Sequence, residues 1–445
     1  MLLEKFIPIL NELKRRGIDN SWLVGGVVRD LLMGREPTDI DIVCDEGTTE
    51  SLISKVGGTL VGKPPFCTVS THLLDYPIEI GILTGKSIHE DLELRDFTMN
   101  AIAIDIEGNI FDPFGGVRDI QNCGIRLVPA TTLPYEADPV RVVRALRFAH
   151  ILNFSIEFET AVVTARFIKE HPDKLTNIPN ERYGKELLKG FSSRPYDFLT
   201  VLEYYSLLPI VLPEIELMRA IEQPAIFHPE GCVLTHTFRV MNEVQGLNIN
   251  NIILTLAALF HDVGKPHTIR KHPKYERDCF YKHDLVGSRI ALEVLNTWAI
   301  PNYINSAVSS LVRYHMFHMG RITKRTCVKL LRKFGNTLEE SLPLAELLFD
   351  LAFSDARGAM DTGEKILVAR ERLYEVHDNL FQVKTSSNNR LLSGKEIMHI
   401  LGIPPGREVG RILEEIDVAV SAGKFSNKNE VEEWLKNGMV EYSGR

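Results

Sequence analysis

The sequence predicts an α+β fold, a small mixed-sheet head followed by an all-helical neck, body, further domain and tail. Three observations carry that prediction. Alternation of polar and apolar residues with period two, as in Thr38-Asp39-Ile40-Asp41-Ile42-Val43, is confined to the first 128 residues. From Pro139 onward strand signals almost vanish, and apolar residues recur at helical spacing. The 445 residues, 44% hydrophobic and 25% charged, have a globular composition and length enough for about three domains.

Element by element, residues 1–17 read as an amphipathic helix with Leu2, Leu3, Phe6, Ile7, Leu10 and Leu13 on one face. Ser21–Val24 reads as a short buried strand, broken by Gly25-Gly26, and Val27–Met33 as a helix ended by Gly34. Thr38–Val43, Val69–Leu74, Tyr76–Ile82, Ala101–Ile106 and Asn109–Phe111 are further strand candidates, with a hairpin turn at Glu107-Gly108. Pro139–Ala149, Glu157–Glu170, Glu181–Lys189 and Pro195–Tyr205 read as successive helices. A second helical block covers about 232–379, Ser386–Asn389 reads as a linker, and 394–436 as short helices around an Ile403-Pro404-Pro405-Gly406 turn.

Composition excludes several classes. No apolar run approaches the roughly 18–20 residues of a membrane span, so no membrane partner is expected. The N-terminus lacks the basic start, apolar block and small-residue site of a secretory signal. Six scattered cysteines form no CxxC pair, which argues against a disulfide framework or zinc ribbon and for a reducing, cytoplasmic setting. The formal net charge of −8 gives no sign of a nucleic-acid partner, but it averages over domains.

Chemistry enters at Asp39 and Asp41. Side chains two apart on a strand share a face, and paired carboxylates make a hard-oxygen site suited to Mg²⁺ shared with substrate phosphates. Upstream, Gly25-Gly26 lies between a strand and a helix start, where backbone N–H groups can approach phosphates. Arg29, one helical turn on, is placed to reach a triphosphate.

Taken together, Leu23-Val24-Gly25-Gly26-Val27-Val28-Arg29-Asp30 followed by Asp39-Ile40-Asp41 resembles the signature of the class II tRNA nucleotidyltransferase and bacterial poly(A) polymerase family. Four further motifs resemble it in order: Arg95-Asp96-Phe97-Thr98-Met99-Asn100-Ala101, Asp112-Pro113-Phe114-Gly115-Gly116, Asp138–Phe148 with its three arginines, and Asn180-Glu181-Arg182 with Glu186. The resemblance implies a polymerase-beta-like nucleotidyltransferase head. It implies that Asp39 and Asp41 bind Mg²⁺ and are catalytic, that Gly25, Gly26, Arg29 and Arg95 contact the nucleotide, and that Asp138 and Arg141, with Arg144, read the incoming base. A carboxylate accepts from an exocyclic amine and a guanidinium donates to ring nitrogen and carbonyl oxygen, as base reading requires. Glu79 is a candidate third carboxylate or an ordinary strand glutamate.

Two positions depart from the family pattern: Leu94 stands where the first Arg of its RRD is expected, and Ala137 where the Glu of its EDP is expected. The stretch Gly81–Glu90 is also short compared with the flexible loop of full CCA-adding members. Within the family that loss goes with enzymes that stop at CC, so the expectation leans to CC addition, with full CCA left open.

A second constellation runs His236, His261-Asp262, His283, His315 and His318, then Asp355. Its order resembles the HD phosphohydrolase superfamily. His236, His261, Asp262, His283 and Asp355 would build a mixed nitrogen and oxygen site for Mn²⁺, Ni²⁺, Mg²⁺ or Fe, able to activate water for phosphoester hydrolysis. Glu222-Gln223-Pro224 and His228-Pro229-Glu230 resemble the lead-in to such domains in some bacterial CCA-adding enzymes. Val294–Leu338 has no Asp or Glu but carries Arg313, Arg321, Lys324, Arg325, Lys329, Arg332 and Lys333, an electrostatic footprint for a phosphate backbone.

The expectation is therefore a template-independent transferase acting on the tRNA 3′ end with CTP, and with ATP as an open second substrate. Its segments are a nucleotidyltransferase head (1–128), a helical neck and body binding base and RNA (129–225), an HD domain (226–385) and a helical tail (386–445). The alternatives are a poly(A) polymerase or A-adding enzyme, an HD phosphohydrolase whose N-terminal part merely grips RNA, and a silent RNA-binding protein.

Overall fold

The computed structural model describes residues 2–62, 67–129, 131–226, 228–275, 277–319, 323–335, 338–384, 391–421 and 423–438. The chain divides into two units, 1–193 with 197–211, and 194–196 with 212–445.

The first unit opens with a 3-10 turn (Leu2–Lys5) and α1 (Ile7–Arg15). Then come β1 (Ser21–Val24), α2 (Gly26–Leu32), β2 (Ile40–Cys44), α3 (Thr49–Val56), β3 (Thr59–Val61), β4 (Thr68–Leu73), β5 (Tyr76–Ile82) and α4 (Ile88–Glu93). After a 3-10 turn at Thr98–Asn100 follow β6 (Ala103–Ile104), β7 (Ile110–Phe111), α5 (Gly116–Gln121) and β8 (Gly124–Ile125). The sheet is seven-stranded, in the order β3-β4-β5-β2-β1-β6-β7. It is mixed, as predicted: β2 runs parallel to β5, with Asp41 opposite Glu79, and the other pairs are antiparallel. Leu23, Val27, Ile42, Ile80, Leu92 and Met99 are among its fully buried side chains.

The unit continues through α6 (Leu133–Ala137), α7 (Arg141–Leu152), β9 (Ser155–Ile156), α8 (Phe158–Glu170), α9 (Pro172–Thr176), α10 (Asn180–Phe191), α11 (Pro195–Tyr204) and α12 (Leu208–Val211). β9 pairs with β8, and α7 packs on α10. Three expectations shift here. Asp39 precedes its strand rather than lying within it, the helix expected from Pro139 starts at Arg141, and Asp138 therefore lies ahead of that helix. β3, β8 and β9 have no counterpart among the expected strands: they are too short for a readable period, and no turn signal marks them as Glu107-Gly108 marks the equally short β6 and β7.

The second unit holds α13 (Pro213–Glu216), α14 (Val233–Gly246), α15 (Ile252–Phe260), a hairpin of β10 (Arg270–Lys271) and β11 (Asp278–Cys279), α16 (His283–Thr297), α17 (Asn302–Tyr314), α18 (Lys324–Phe334), α19 (Leu338–Gly358) and α20 (Glu364–Lys384). α21 (Gly394–Leu401), α22 (Arg407–Ser421) and α23 (Lys428–Gly438) close it around Leu392, Ile397, Ile416 and Val431. The expected linker Ser386–Asn389 lies outside the described residues. No helix among the described residues is long and apolar enough to cross a membrane, and all six cysteines are free.

One contact fixes the turn that supports the head. The Asp112 carboxylate accepts from the Gly116 and Val117 N–H groups at 2.6 and 2.9 Å, capping α5. This brings Gly116 so close to the preceding segment that a Cβ there would stand 2.1 Å from the Thr98 carbonyl oxygen. A backbone carbonyl cannot yield as a flexible side chain can. Gly116→Ala is expected to cost about 1–3 kcal/mol of stability, read as a lowered Tm by circular dichroism; an unchanged Tm would refute the packing argument.

Candidate active site and metal centre

In the first unit the turn after β1 brings the expected residues together. Gly25 has φ of 72°, open to glycine at no steric cost, and a Cβ there would lie 3.0 Å from Arg95 Nη1 and 3.6 Å from Asp41 Oδ2. A Cβ on Gly26, the first residue of α2, would lie 3.6 Å from Arg29 Nη2. Arg95 is braced by Asp91, whose Oδ2 accepts from its Nε and Nη2 at 3.3 and 3.0 Å. Arg29 donates to Asn100 Oδ1 at 2.9 Å, pairs with Asp30 at 2.8 Å and lies 5.0 Å from the Phe148 ring centroid.

Asp41 and Glu79 sit side by side on β2 and β5, with Asp39 two residues before Asp41. Burial raises the Asp41 carboxyl above its usual range; Glu79 and Asp39 add to the rise, and Arg95 and Lys189 oppose it. A divalent cation relieves the repulsion between such adjacent carboxylates, and an all-oxygen donor set fits Mg²⁺.

Asp138 and Arg141 flank the start of α7. Asp138 Oδ2 accepts from Arg182 Nη2 at 2.7 Å, while its Oδ1 is buried without a hydrogen-bond partner. Arg141 Nη2 donates to the Leu94 carbonyl at 3.0 Å, and its Nε is likewise buried without a partner. Arg144 does something the sequence did not indicate. It bridges Asp96 at 3.2 Å and Glu186 at 2.9 Å, and Glu186 also takes Arg147 at 2.6 Å. Arg144 is thus engaged in an ion network, with its pKa raised: burial lowers it, but Asp96 and Glu186 outweigh that.

In the second unit His236 (α14), His261 and Asp262 (just after α15), His283 (first residue of α16) and Asp355 (α19) converge, all five as expected. His315, directly after α17, joins them. Its place in the sequence order was visible, but nothing there separated it from His318, which turns its Nδ1 to the His315 carbonyl. The ligand atoms form two triads, each within 4.8 Å: His236, His261 and Asp355, and Asp262, His283 and His315. Asp262 links them. Its Oδ2 lies 3.3 Å from His261 Nε2 and 4.0 Å from His236 Nε2, and its Oδ1 lies 3.5 and 3.9 Å from His283 and His315 Nε2.

The donor chemistry fits a metal. His261, His283 and His315 each donate Nδ1–H to the carbonyl three residues back, at 2.8, 2.8 and 2.7 Å. That fixes their tautomer and aims the Nε2 lone pairs inward. His261 Nε2 is buried with no hydrogen-bond partner, and the His283 and His315 Nε2 atoms face each other at 3.2 Å. Two lone pairs at that distance repel unless a cation lies between them. Burial holds His315 down near about 3 and keeps it neutral, as a ligand must be. His236 differs. Burial lowers it, but hydrogen bonds to Asp355 and Glu230 outweigh that and raise it to about 9. Its Nδ1 lies 2.8 Å from Glu230 Oε1, a carboxylate behind a ligand histidine. Lys265 Nζ sits 2.6 Å from Asp262 and donates to Gln223 Oε1 at 2.7 Å.

The basic stretch is only partly presented to solvent. Lys329 pairs with Glu415 of α22 at 2.9 Å, and Arg313 with Asp284. Arg332 and Lys333 are exposed on α18, while Arg321 lies outside the described residues.

Comparison with known proteins agrees with this geometry. Residues 21–80 and 68–126 match the Poly A polymerase head domain, 153–218 the probable RNA and SrmB-binding site of polymerase A, and 233–355 the HD domain. The chain is 32% identical over 429 residues to the CC-adding tRNA nucleotidyltransferase of Thermus thermophilus, covering 94% of this chain and 93% of that one. It is 27% identical to the A-adding tRNA nucleotidyltransferase of Deinococcus radiodurans, over 95% and 96% of the two chains. The Bacillus stearothermophilus CCA-adding enzyme in complex with CTP shares the fold, with a TM-score of 0.64 at 23% identity over 99% of this chain and 98% of that one. The sheet topology, the converged motifs and a relative matched along nearly its whole length place the chain in the class II tRNA nucleotidyltransferase family, with an HD domain in its second unit.

Proposed function

We propose that the first unit adds C residues to the 3′ end of tRNA without a nucleic-acid template. The observation that carries this reading is Gly25, whose position touches both Arg95 and Asp41 and so joins a phosphate-binding turn to a carboxylate site. The N–H groups of Gly25 and Gly26, with Arg29 and Arg95, hold the triphosphate. Asp39 and Asp41, with Glu79 beside them, would hold Mg²⁺, which would activate the attacking hydroxyl and stabilise the leaving group. The tRNA 3′-hydroxyl oxygen bonds the α-phosphorus of CTP, the bond to the β-phosphate oxygen breaks, and pyrophosphate leaves. The free Asp138 oxygen accepts from the cytosine amine and Arg141 donates to its ring nitrogen and carbonyl.

Stopping at CC rests on the link between β5 and α4. Only residues 83–87 connect them, and the link is pinned: Asp91 Oδ1 accepts from Thr84 N–H at 3.1 Å, and Glu90 Oε2 from Lys86 N–H at 2.9 Å. A short, bonded connector leaves little freedom to reshape the base pocket from C to A. The CC-adding relative supports the same reading. Six free cysteines fit a cytoplasmic setting.

For the second unit we propose metal-dependent phosphoester hydrolysis. Two triads linked by Asp262 suit a pair of divalent ions, with Lys265 placed for a substrate phosphate.

Three measurements test these readings. A tRNA lacking its CCA end, given CTP and ATP together, is expected to gain two C residues, whereas efficient formation of CCA would overturn the CC assignment. Asp39→Asn and Asp41→Asn are each expected to slow C addition by roughly a thousandfold or more with an unchanged circular dichroism spectrum; wild-type rates would refute the polymerase site. Elemental analysis after loading with Mn²⁺ is expected to find more ions per chain in the wild type than in Asp262→Asn, with C addition retained. Equal metal content in the two proteins would sink the Asp262-linked centre.

A further inference from the structure

The hairpin between the His261-Asp262 turn and His283 has no part in either reading so far. Residues 265–282 carry six Lys and Arg against two acidic residues. One of those acids, Asp278, already pairs with Lys271 across the hairpin at 2.8 Å. Arg270, Lys274 and Lys282 are exposed. Two large aromatic side chains stand out between them, Tyr275 at 52% exposure and Tyr281 at 59%. Exposed tyrosines among cations serve no core, and they are the side chains that stack on bases while cations hold phosphates.

The hairpin is also built rather than loose. His272 Nδ1 accepts from the Lys274 and Tyr275 N–H groups at 3.1 and 3.2 Å, and Arg277 N–H donates to the Tyr275 carbonyl at 2.8 Å. The His272 ring lies 4.8 Å from that of Tyr275, and Arg277 Cζ lies 5.3 Å from the same ring. Both ends are tied to the metal centre. Thr268 donates to the Gly264 carbonyl at 2.9 Å, two residues past Asp262. At the other end, the Phe280 carbonyl takes His283 Nδ1–H at 2.8 Å, and the Phe280 ring lies 5.5 Å from Lys265 Nζ, the ammonium beside Asp262.

We propose that this hairpin, with Tyr281, is a nucleoside-binding lip of the HD site. Tyr275 and Tyr281 each offer an exposed ring for stacking on a base, and Arg270, Lys274 and Lys282 attract the adjoining phosphates. The site then prefers a phosphate carried on a nucleoside to the same phosphate on a small alcohol. This rests on the hydrolytic reading of the second unit.

The test uses the full chain loaded with Mn²⁺ and two chromogenic diesters, thymidine 5′-(p-nitrophenyl phosphate) and bis(p-nitrophenyl) phosphate. Tyr275→Ala and Tyr281→Ala are expected to raise KM for the thymidine ester by roughly tenfold each, to leave kcat and the second ester unchanged, and to be rescued by Phe. Equal losses on both esters, or none on either, would overturn the lip. A second measurement stands apart from turnover. A short oligonucleotide ending in 4-thiouridine, irradiated with the protein, is expected to crosslink within residues 270–282 by mass spectrometry. Crosslinks elsewhere only would also overturn it. Hairpin crosslinks with no hydrolysis of either ester by the wild type would leave the lip standing and remove the hydrolase reading.

Discussion

The arrangement of the first unit depends on one half-buried guanidinium. Arg144 lies between Asp96, which follows Arg95, and Glu186 on α10. Asp96 in turn accepts from the Phe97 N–H and the Asn100 amide, and Asn100 accepts from Arg29. Glu186 also holds Arg147, and the Arg147 and Arg29 guanidinium groups both approach the Phe148 ring. One connected network therefore joins the glycine turn to the start of α7, where Asp138 and Arg141 lie. Burial alone would raise the Asp96 carboxyl, but Arg144, Asn100, Arg141 and the Phe97 N–H together hold it below the usual range. Removing one member strands a buried charge, which typically costs about 3–5 kcal/mol. That cost exceeds the worth of an exposed pair and explains why this helix carries arginines on its inner side.

The second unit solves an opposite problem. Its cluster is made of histidines that must stay neutral to bind a metal. Backbone carbonyls three residues back take the Nδ1 protons of His261, His283 and His315, so the lone pairs are oriented before any ion arrives. His236 is the exception, backed by the Glu230 carboxylate, which raises the basicity of the ring it orients. Charge is satisfied in one unit by pairing ions and in the other by converging neutral donors on a carboxylate.

The motifs made the cluster memberships legible because each motif carries its own local geometry: a strand places Asp41, a glycine turn places Gly25, a helix end places His261 and Asp262. Pairings between motifs were not legible. Asp96 with Arg144, Asp138 with Arg182, and His283 with His315 join residues 32 to 48 positions apart, and sequence periodicity holds no information at that range. The hairpin of 270–279 was absorbed into a helical block because its strands are two residues long. The bulk charge of −8 misled for a related reason. It averages cations neutralised by an acidic partner, such as Lys329 with Glu415, with the acid-poor basic cluster around Lys274 and Lys282.

The two departures from the family pattern acquire a physical meaning at the start of α7. Leu94 replaces an expected arginine, and its side chain is 57% exposed, contributing nothing to the site. Its carbonyl, however, accepts from Arg141. A backbone acceptor does not depend on the side chain, so Arg141 keeps its brace even where the motif is broken. The missing glutamate at Ala137 is answered differently. Arg182 takes one Asp138 oxygen and leaves the other unpartnered. The tether holds the carboxylate through its second oxygen, so the direction in which the unpartnered oxygen faces is set by a residue 44 positions downstream.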